Sequence, residues 1–266
     1  MVAPLFKKLL GKNETPAIAR PSVEGRPAAL PPGIRIYAVG DIHGRADLLR
    51  AMHEQIISDR LSAPADTECV IVYLGDYVDR GLDSASVLDE LINRPVGGFD
   101  LIHLIGNHDI WMLDFLDEPE VGAQWFQWGG DATLVSYGVQ AYLELDDLEQ
   151  LKKARNELAK AVPPSHLAFL NGLKLRFRLD DYLFVHAGIR PGTPVDRQLP
   201  HDLLYIREPF LSHDDDLGCV VVHGHTVQAD PVLKRNRIGI DTGACWTGKL
   251  TCVVLEGEDI RFLATR

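Results

Sequence analysis

The chain has 266 residues, of which 46% are hydrophobic and 24% are charged, as is typical of a globular protein. That length allows one large α/β domain or two small ones. The formal net charge of -11 disfavours DNA or RNA as the main partner, because an acidic surface repels phosphate backbones. A phosphate-binding function must therefore use local positive charge, from metal ions or a few arginines.

Two further features bear on the compartment in which the protein works. The four cysteines form no CxxC pair, which suits a reducing environment. The N-terminus has no apolar stretch adequate for a signal peptide, and no later segment is long enough to span a membrane. We therefore expect a cytoplasmic protein without a membrane partner. The sequence leaves its oligomeric state open.

The N-terminal region differs in composition from the rest of the chain. Residues 1–33 are rich in Pro, Ala, Lys and Arg, which predicts a flexible tail, because such a segment buries too little to offset the entropy of ordering it. A short amphipathic helix at Pro4–Leu10 is the alternative. Residues 34–266 show no internal repeat and no clear boundary, so we predict a single domain.

From residue 34 onward, predicted strands alternate with predicted helices. Apolar runs predict strands at Ile34–Val39, Val70–Leu74, Leu101–Ile105, Tyr182–Val185, Val220–Val222, Arg237–Ile240, Leu250–Leu255 and Ile260–Leu263. Helical spacing predicts helices around Leu48–Ile56 and Val87–Ile92, and Glu120–Leu170 is predicted to be mostly helical. The first five strands each end in a Gly-containing loop with Asp, Asn or His. Such loops gather at the carboxyl edge of an α/β sheet.

These loops carry side chains suited to metal binding. Asp41 and His43 of GDIHG are two residues apart, so both can reach one ion from a single turn. Asp76 of GDYVDRG offers a carboxylate that can bridge two cations. The other candidates are one amide oxygen and two imidazoles, from Asn107, His186 and His225. A mixed oxygen and nitrogen set suits Mn²⁺, Fe or Zn²⁺ better than Mg²⁺ or Ca²⁺.

The motifs GDIHG, GDYVDRG, GNHD, HAG and GHT, in this order, resemble the signatures of the calcineurin-like metallophosphoesterases, and among them the phosphoprotein phosphatase family. The resemblance covers nearly the whole chain from about Ile34. The ending IGIDTGACWTGKLTCVVLE and the segment LLYIREPF resemble the bacterial and phage branch. The family implies a mixed α/β, four-layer fold, with a central β-sandwich of mixed sheets flanked by helices.

The resemblance also implies two divalent metal ions, with Mn²⁺ expected and Fe or Zn²⁺ as alternatives. The first ion would be held by Asp41, His43 and Asp76. The second would be held by Asp76, Asn107, His186 and His225. The phosphate would be contacted by Arg80, Asn107 and Arg207, and the planar fork of arginine suits phosphate oxygens.

His108 would be the general acid of the reaction, and Asp79 would orient and charge it, since a carboxylate partner favours a protonated imidazole. One departure from the family pattern is Asp109, where eukaryotic members usually have Glu. Trp125 and Trp128 are expected to pack between helices, with a place beside the site as the alternative. Trp246, after the DTG turn, is a candidate for a substrate-facing aromatic.

The implied activity is hydrolysis of phosphate monoesters by direct attack of a metal-activated hydroxide, with phosphoserine or phosphothreonine in proteins as the expected substrate. Three alternatives stay open. A dinucleoside polyphosphate hydrolase is one, although those relatives typically carry Gln where this chain has His43. A phosphatase of small metabolites is another. The third, a non-catalytic phospho-binding module, would be expected to have lost metal ligands or the general acid.

Overall fold

The computed structural model describes residues 20–140 and 147–265. The strands are β1 (Ser22–Val23), β2 (Arg26–Pro27), β3 (Ile34–Val39), β4 (Glu68–Tyr73), β5 (Asp100–His103), β6 (Arg176–Leu179), β7 (Tyr182–Val185), β8 (Val220–His223), β9 (Val232–Leu233), β10 (Arg237–Gly239), β11 (Thr251–Glu256) and β12 (Asp259–Ala264). The helices are α1 (Ala46–Arg60), α2 (Ser84–Asn93), α3 (Asn107–Asp117), α4 (Gly122–Trp125), α5 (Gly130–Ser136), α6 (Leu148–Ala161), α7 (Pro164–Asn171), α8 (Pro200–Tyr205) and α9 (Ala244–Thr247). Short 3₁₀ turns occupy Pro119–Val121, Phe126–Trp128 and Val195–Arg197.

Two mixed five-stranded sheets form the centre of the fold. The first has the order β12-β11-β3-β4-β5, in which β3, β4 and β5 are parallel and β11 runs antiparallel to β3. The second has the order β6-β7-β8-β10-β9, in which β7, β8 and β10 are parallel. Strands β4, β7 and β8 are nearly continuous apolar runs, as expected of strands buried on both faces.

The sheets and helices stack in four layers. Ile36 and Val72 of the first sheet meet Phe184 and Val222 of the second in an apolar layer between the sheets. Helices α1 and α2 pack on the outer face of the first sheet, and α8 packs on the outer face of the second. The predicted β-sandwich of mixed sheets with flanking helices is therefore confirmed.

The eight predicted strands all form, with ends shifted by at most two residues. Strand β6 escaped prediction because two arginines interrupt its apolar residues, as suits an edge strand with one exposed face. The predicted helical interval Glu120–Leu170 contains α4 to α7, although 141–146 lie outside the described residues. No helix in the described ranges is long and apolar enough to cross a bilayer. The cytoplasmic location stays a prediction.

The segment before β3 differs from the predicted flexible tail. β1 and β2 pair as a hairpin, and Val23, Ala28 and Leu30 are buried in the layer between the sheets. Arg26 pairs with Asp181 at 2.6 Å. Residues 20–33 therefore pack on the domain, since their few apolar side chains are spaced to reach its core. The prediction for residues 1–19, including the alternative helix at Pro4–Leu10, falls outside the described residues.

Candidate active site

The candidate ligands converge at the carboxyl ends of the parallel strands of both sheets. Asp41 and His43 follow β3, Asp76 follows β4, and Asn107 begins α3 directly after β5. From the second sheet, His186 follows β7 and His225 follows β8. Two groups of potential ligand atoms, each lying within 4.8 Å of one another, form there: His43, Asp76 and His108, and Asp76, His186 and His225. The two groups share Asp76.

Asp76 lies between two imidazoles. Its Oδ2 is 3.4 Å from Nε2 of His43 and 3.4 Å from Nε2 of His186. The Nδ1 of His43 donates to the carbonyl of Val78 at 2.8 Å, and the Nδ1 of His186 donates to the carbonyl of Leu74 at 2.9 Å. Because both rings use Nδ1–H on the backbone, both Nε2 atoms keep a lone pair, and both lie near one carboxylate oxygen. Such an arrangement fits a carboxylate that bridges two cations.

The remaining candidate ligands lie where they could bind the same two cations. Nε2 of His225 is buried and has no hydrogen-bond partner among the described residues. Oδ1 of Asn107 lies 3.0 Å from Nε2 of His186. Asp41 accepts the backbone N–H of His225, at 3.1 and 3.2 Å, which joins the two sheets at this point. The donor set therefore fits two divalent ions held by oxygen and nitrogen ligands.

Glycines in the motifs let the carboxylates lie directly against the backbone. A Cβ at Gly106 would stand 2.0 Å from Oδ1 of Asp76, and a Cβ at Gly224 would stand 2.0 Å from Oδ1 of Asp41. Five site residues also have left-handed φ angles between 46° and 72°, namely His43, Asp76, Asp79, Arg80 and His225. Non-glycine residues adopt such angles at a cost, and they cluster at functional sites.

Asp109 ties the second and third motif loops together. Its carboxylate accepts the backbone N–H groups of Asp76, Tyr77 and Gly106 at 2.8–2.9 Å. The shorter side chain thus reaches three donors across two loops. Its role here is to hold Asp76 and the start of α3 in register.

His108 is fixed by a buried carboxylate. Its Nδ1 donates to Oδ2 of Asp79 at 2.7 Å, and that oxygen also accepts Nε1–H of Trp125 at 2.8 Å. The other oxygen of Asp79 accepts the hydroxyl of Thr133 at 2.7 Å. Asp79 therefore has its acceptors filled, and the ring of His108 is held with Nε2 directed to the site.

The four imidazoles of the site fall into two electrostatic classes. Burial lowers the pKa of His43, His186 and His225, so these rings are neutral and can act as ligands. Burial opposes the charged form of His108 as well, but Asp76 and Asp79 outweigh it and raise the pKa of His108. The environment of His108 therefore favours its protonated form.

The carboxylates show a similar contrast. Burial alone would raise the pKa of Asp76, but the imidazoles of His186, His108 and His43 outweigh burial and lower it. Burial raises the pKa of Asp41, and the neighbouring charges of Asp241 and Asp76 raise it further. Two buried acids side by side are stabilised most directly by a cation.

A pocket of about 180 Å³ opens above these residues, lined by Arg80, Asn107, His108, Trp111, Gln124, Trp128, Tyr205, Arg207 and His225. Nη1 of Arg80 donates to Nε2 of His43 at 2.6 Å, and Nη2 lies 2.9 Å from Nε2 of His108. Arg207 is exposed, and its side chain has no ion pair or hydrogen bond among the described residues. The structure thus brings every predicted site residue to this one place.

We call two parts of this site the floor and the rim. The floor comprises the inward-facing groups Asp41, His43, Asp76, Asn107, His108, His186, His225 and Asp241. The rim comprises Trp128, Arg207 and Trp246. Seven of the eight floor residues are buried, whereas Trp128 and Trp246 are 53% and 63% exposed.

Sequence reasoning missed Asp241 and misjudged one tryptophan. Asp241 follows β10, is buried, and has one carboxylate oxygen without a partner among the described residues. The rule applied to the other strands, an acid just past a parallel strand, could have found it.

Trp125 packs in the core as expected, but Trp128 lines the pocket instead of packing between helices, because its 3₁₀ turn ends at the site.

The sequence profile of the family described as calcineurin-like phosphoesterase matches residues 34–252. Serine/threonine-protein phosphatase 2 of Escherichia coli (strain K12) is 29% identical over 229 residues, covering 81% of this chain and 90% of that protein. The symmetrical bis(5'-nucleosyl)-tetraphosphatase of Neisseria meningitidis serogroup A is 26% identical over 268 residues, covering 84% and 93%. A zinc-dependent endopolyphosphatase of Saccharomyces cerevisiae is 26% identical over 162 residues, and the match covers 58% of this chain and only 47% of that protein.

Solved structures agree at the level of the fold. A crystal structure described as a candidate diadenosine tetraphosphatase superposes with a TM-score of 0.59 at 22% identity, covering 90% of this chain and 99% of that one. The profile match extends over most of the chain and contains all five motifs. The chain therefore belongs to the calcineurin-like phosphoesterase family, whose members are hydrolases that use a dinuclear metal centre.

Proposed function

We propose that the protein hydrolyses phosphate monoesters, and that phosphoserine or phosphothreonine in proteins is its substrate. The observation that carries this proposal is the position of His108. Its Nδ1 is held by Asp79 at 2.7 Å, while the ring lines the pocket beside the group that shares Asp76. An alkoxide leaving group needs a proton, and a positioned acid at this place supplies it.

In this proposal the first ion is held by Asp41, His43 and Asp76, and the second by Asp76, Asn107, His186 and His225. Divalent ions bound there supply positive charge to the phosphoryl oxygens and generate the water-derived nucleophile. We propose Mn²⁺, with Fe or Zn²⁺ as alternatives, because the donor set mixes carboxylates, an amide and imidazoles. Metal content after reconstitution with each ion tests that choice.

The protein's own side chains would then bind and orient the phosphate ester. Arg80 reaches both His43 and His108, so its fork lies where the phosphoryl oxygens would be placed. Arg207 lines the same pocket, and its side chain has no ion pair or hydrogen bond among the described residues. Two arginines and Nδ2 of Asn107 would neutralise and orient the phosphate, which is how a site stabilises charge on equatorial oxygens.

A dinucleoside polyphosphate hydrolase is the second candidate, and a specific observation favours it. Trp128 and Trp246 are exposed beside the pocket, and exposed aromatic rings can stack on nucleobases. His43 favours the protein phosphatase activity instead, because the dinucleoside polyphosphate hydrolases that this chain resembles typically carry Gln at that position.

The test is a comparison of kcat/KM for the metal-loaded enzyme on a phosphoserine peptide, diadenosine tetraphosphate and a small phosphate ester. We expect the phosphopeptide to be the best substrate, and activity on all of them to disappear on chelation. A preference of tenfold or more for the dinucleotide, on the order of 1.4 kcal/mol, would establish the second candidate instead. Turnover by a preparation shown to be free of metal would contradict both.

A further inference from the structure

Trp246 is an exposed tryptophan in contact with an arginine of the site. Cζ of Arg80 lies 4.8 Å from the centroid of the Trp246 ring. The same guanidinium reaches Nε2 of His43 and Nε2 of His108 with its two terminal nitrogens. One face of the guanidinium therefore meets an aromatic ring while its edge points to the pocket. This is the geometry of a cation–π contact, which uses the face of the guanidinium and leaves its edge directed at the pocket.

The backbone holds Trp246 firmly although its ring is exposed. Helix α9 is a single turn, and Nη1 of Arg45 donates to the carbonyl of Ala244 at 3.0 Å. Before the helix, the N–H of Gly243 donates to Oδ1 of Asp241 at 2.9 Å. Gly243 has a left-handed φ of 70°, and a Cβ there would stand 3.4 Å from the Trp246 ring. The turn thus places the ring against Arg80.

Arg80 is fixed at its backbone, but its guanidinium has no acidic partner in the described part of the chain to hold it. Its N–H donates to the carbonyl of Gly129 at 2.9 Å, and its φ is 67°. No carboxylate pairs with its guanidinium among the described residues. A long side chain with several rotors loses entropy when it grips a phosphate, and a stacking surface reduces that loss.

We propose that Trp246 is a positioning residue, which holds the guanidinium of Arg80 in the orientation that binds the phosphate group of the substrate. The inference rests on the proposed role of Arg80 in phosphate binding. It concerns phosphate recognition only, so it applies to a protein phosphatase and to a dinucleotide hydrolase alike.

The test measures binding of inorganic phosphate to the Mn²⁺-loaded protein by calorimetry, in a double-mutant cycle. We expect Trp246→Ala to weaken phosphate binding roughly 2- to 30-fold, the range of a cation–π contact from exposed to desolvated. Trp246→Phe, which keeps an aromatic face, should recover most of the loss, whereas Trp246→Leu should not. In the Arg80→Ala background, Trp246→Ala should have little further effect, because the stacked partner is already gone.

The matched control is Trp128→Ala, an exposed tryptophan that lines the same pocket without a recorded contact to the guanidinium. Its effect on phosphate binding should add to that of Arg80→Ala. Additive effects of Trp246→Ala and Arg80→Ala, or a Phe variant no better than Leu, would overturn the inference. Phosphate binding that Arg80→Ala leaves unchanged would instead contradict the proposed function, and the metal content of each variant shows that the floor is intact.

Discussion

The floor and the rim of the site are built in opposite ways. Floor side chains are buried and are held by buried neighbours, as when Asp79 accepts three hydrogen bonds, one of them from His108, and Asp109 accepts three more, one of them from Asp76. On the rim, Arg207 has no recorded side-chain partner in the described chain, and Trp246 is held mainly through the backbone of its turn. Chemistry that needs positions fixed within fractions of an ångström is thus confined to the floor. We therefore expect selection among substrates to depend mainly on the rim.

The largest effect is expected at the floor, from the substitution His108→Asn, which tests whether this residue is the proton donor. If His108 donates the proton to the leaving group, kcat should fall by about 10²–10⁴-fold. The loss should shrink for p-nitrophenyl phosphate, whose leaving group is already a stable anion, and stay large for a serine phosphate. His201→Asn, an exposed histidine outside the site, is the control. Loss of metal in His108→Asn would instead make it a ligand or a structural residue.

Asp241 tests whether the floor extends beyond the motif residues. Replacing it with Asn keeps the shape and the oxygen that accepts Gly243 N–H, but removes a charge beside Asp41. We expect Mn²⁺ affinity to fall about 10- to 100-fold, as for residues that orient metal ligands. The melting temperature of the metal-free protein should not fall, because a buried like-charge contact is relieved.

Calorimetric titration with Mn²⁺ and thermal unfolding after chelation measure these two effects. Asp230→Asn, at an exposed carboxylate paired with Lys249, is the control. Unchanged Mn²⁺ affinity together with a destabilised metal-free protein would assign Asp241 to the fold and remove it from the floor.

At the rim, Arg207→Ala should raise KM by about tenfold, the lower end of the range for a hydrogen bond to a charged group, since the side chain is exposed. Metal content should not change. Arg197→Ala, an exposed arginine away from the pocket, is the matched control. If the kinetics of Arg207→Ala equal those of the control, Arg207 is a surface residue that does not bind the phosphate.

The smallest effect on catalysis is expected from the N-terminal segment, which contains none of the predicted site residues. Deleting residues 1–19 should leave kcat/KM and the melting temperature nearly unchanged. Deleting 1–30 removes buried Val23 and Leu30, so the free energy of unfolding should fall by on the order of 3 kcal/mol while metal binding persists. Loss of turnover in a folded 20–266 protein would make residues 1–19 part of the site.

The sequence pattern identified the motif residues of the floor more readily than the position of Trp128 at the rim, for a physical reason. Asp41 and Asp76 each follow an apolar strand and stand beside glycines that the close backbone contacts require, so pattern and chemistry coincide. Trp125 and Trp128 stand three positions apart in one polar and aromatic stretch, and nothing local separates them. In the folded protein Trp125 is buried and donates to Asp79, whereas Trp128 is exposed at the pocket. This difference depends on tertiary contacts that the local sequence does not reveal.

Edges of the fold escaped prediction for a related reason. The hairpin of residues 22–27 and the strand Arg176–Leu179 bury one face or less, so their apolar spacing is too weak to distinguish them from loops. Central strands such as Tyr182–Val185 are apolar throughout and were predicted to the residue.

The central claim is that Asp76 bridges two metal ions, and the number of ions per chain tests it most directly. Elemental analysis after reconstitution and desalting should give two divalent ions per chain for the natural protein. Asp76→Asn should lose both, because each group of ligands includes this carboxylate. Control variants such as Arg197→Ala should retain two. A natural protein that binds a single ion, or an Asp76→Asn variant that still holds two, would contradict the account.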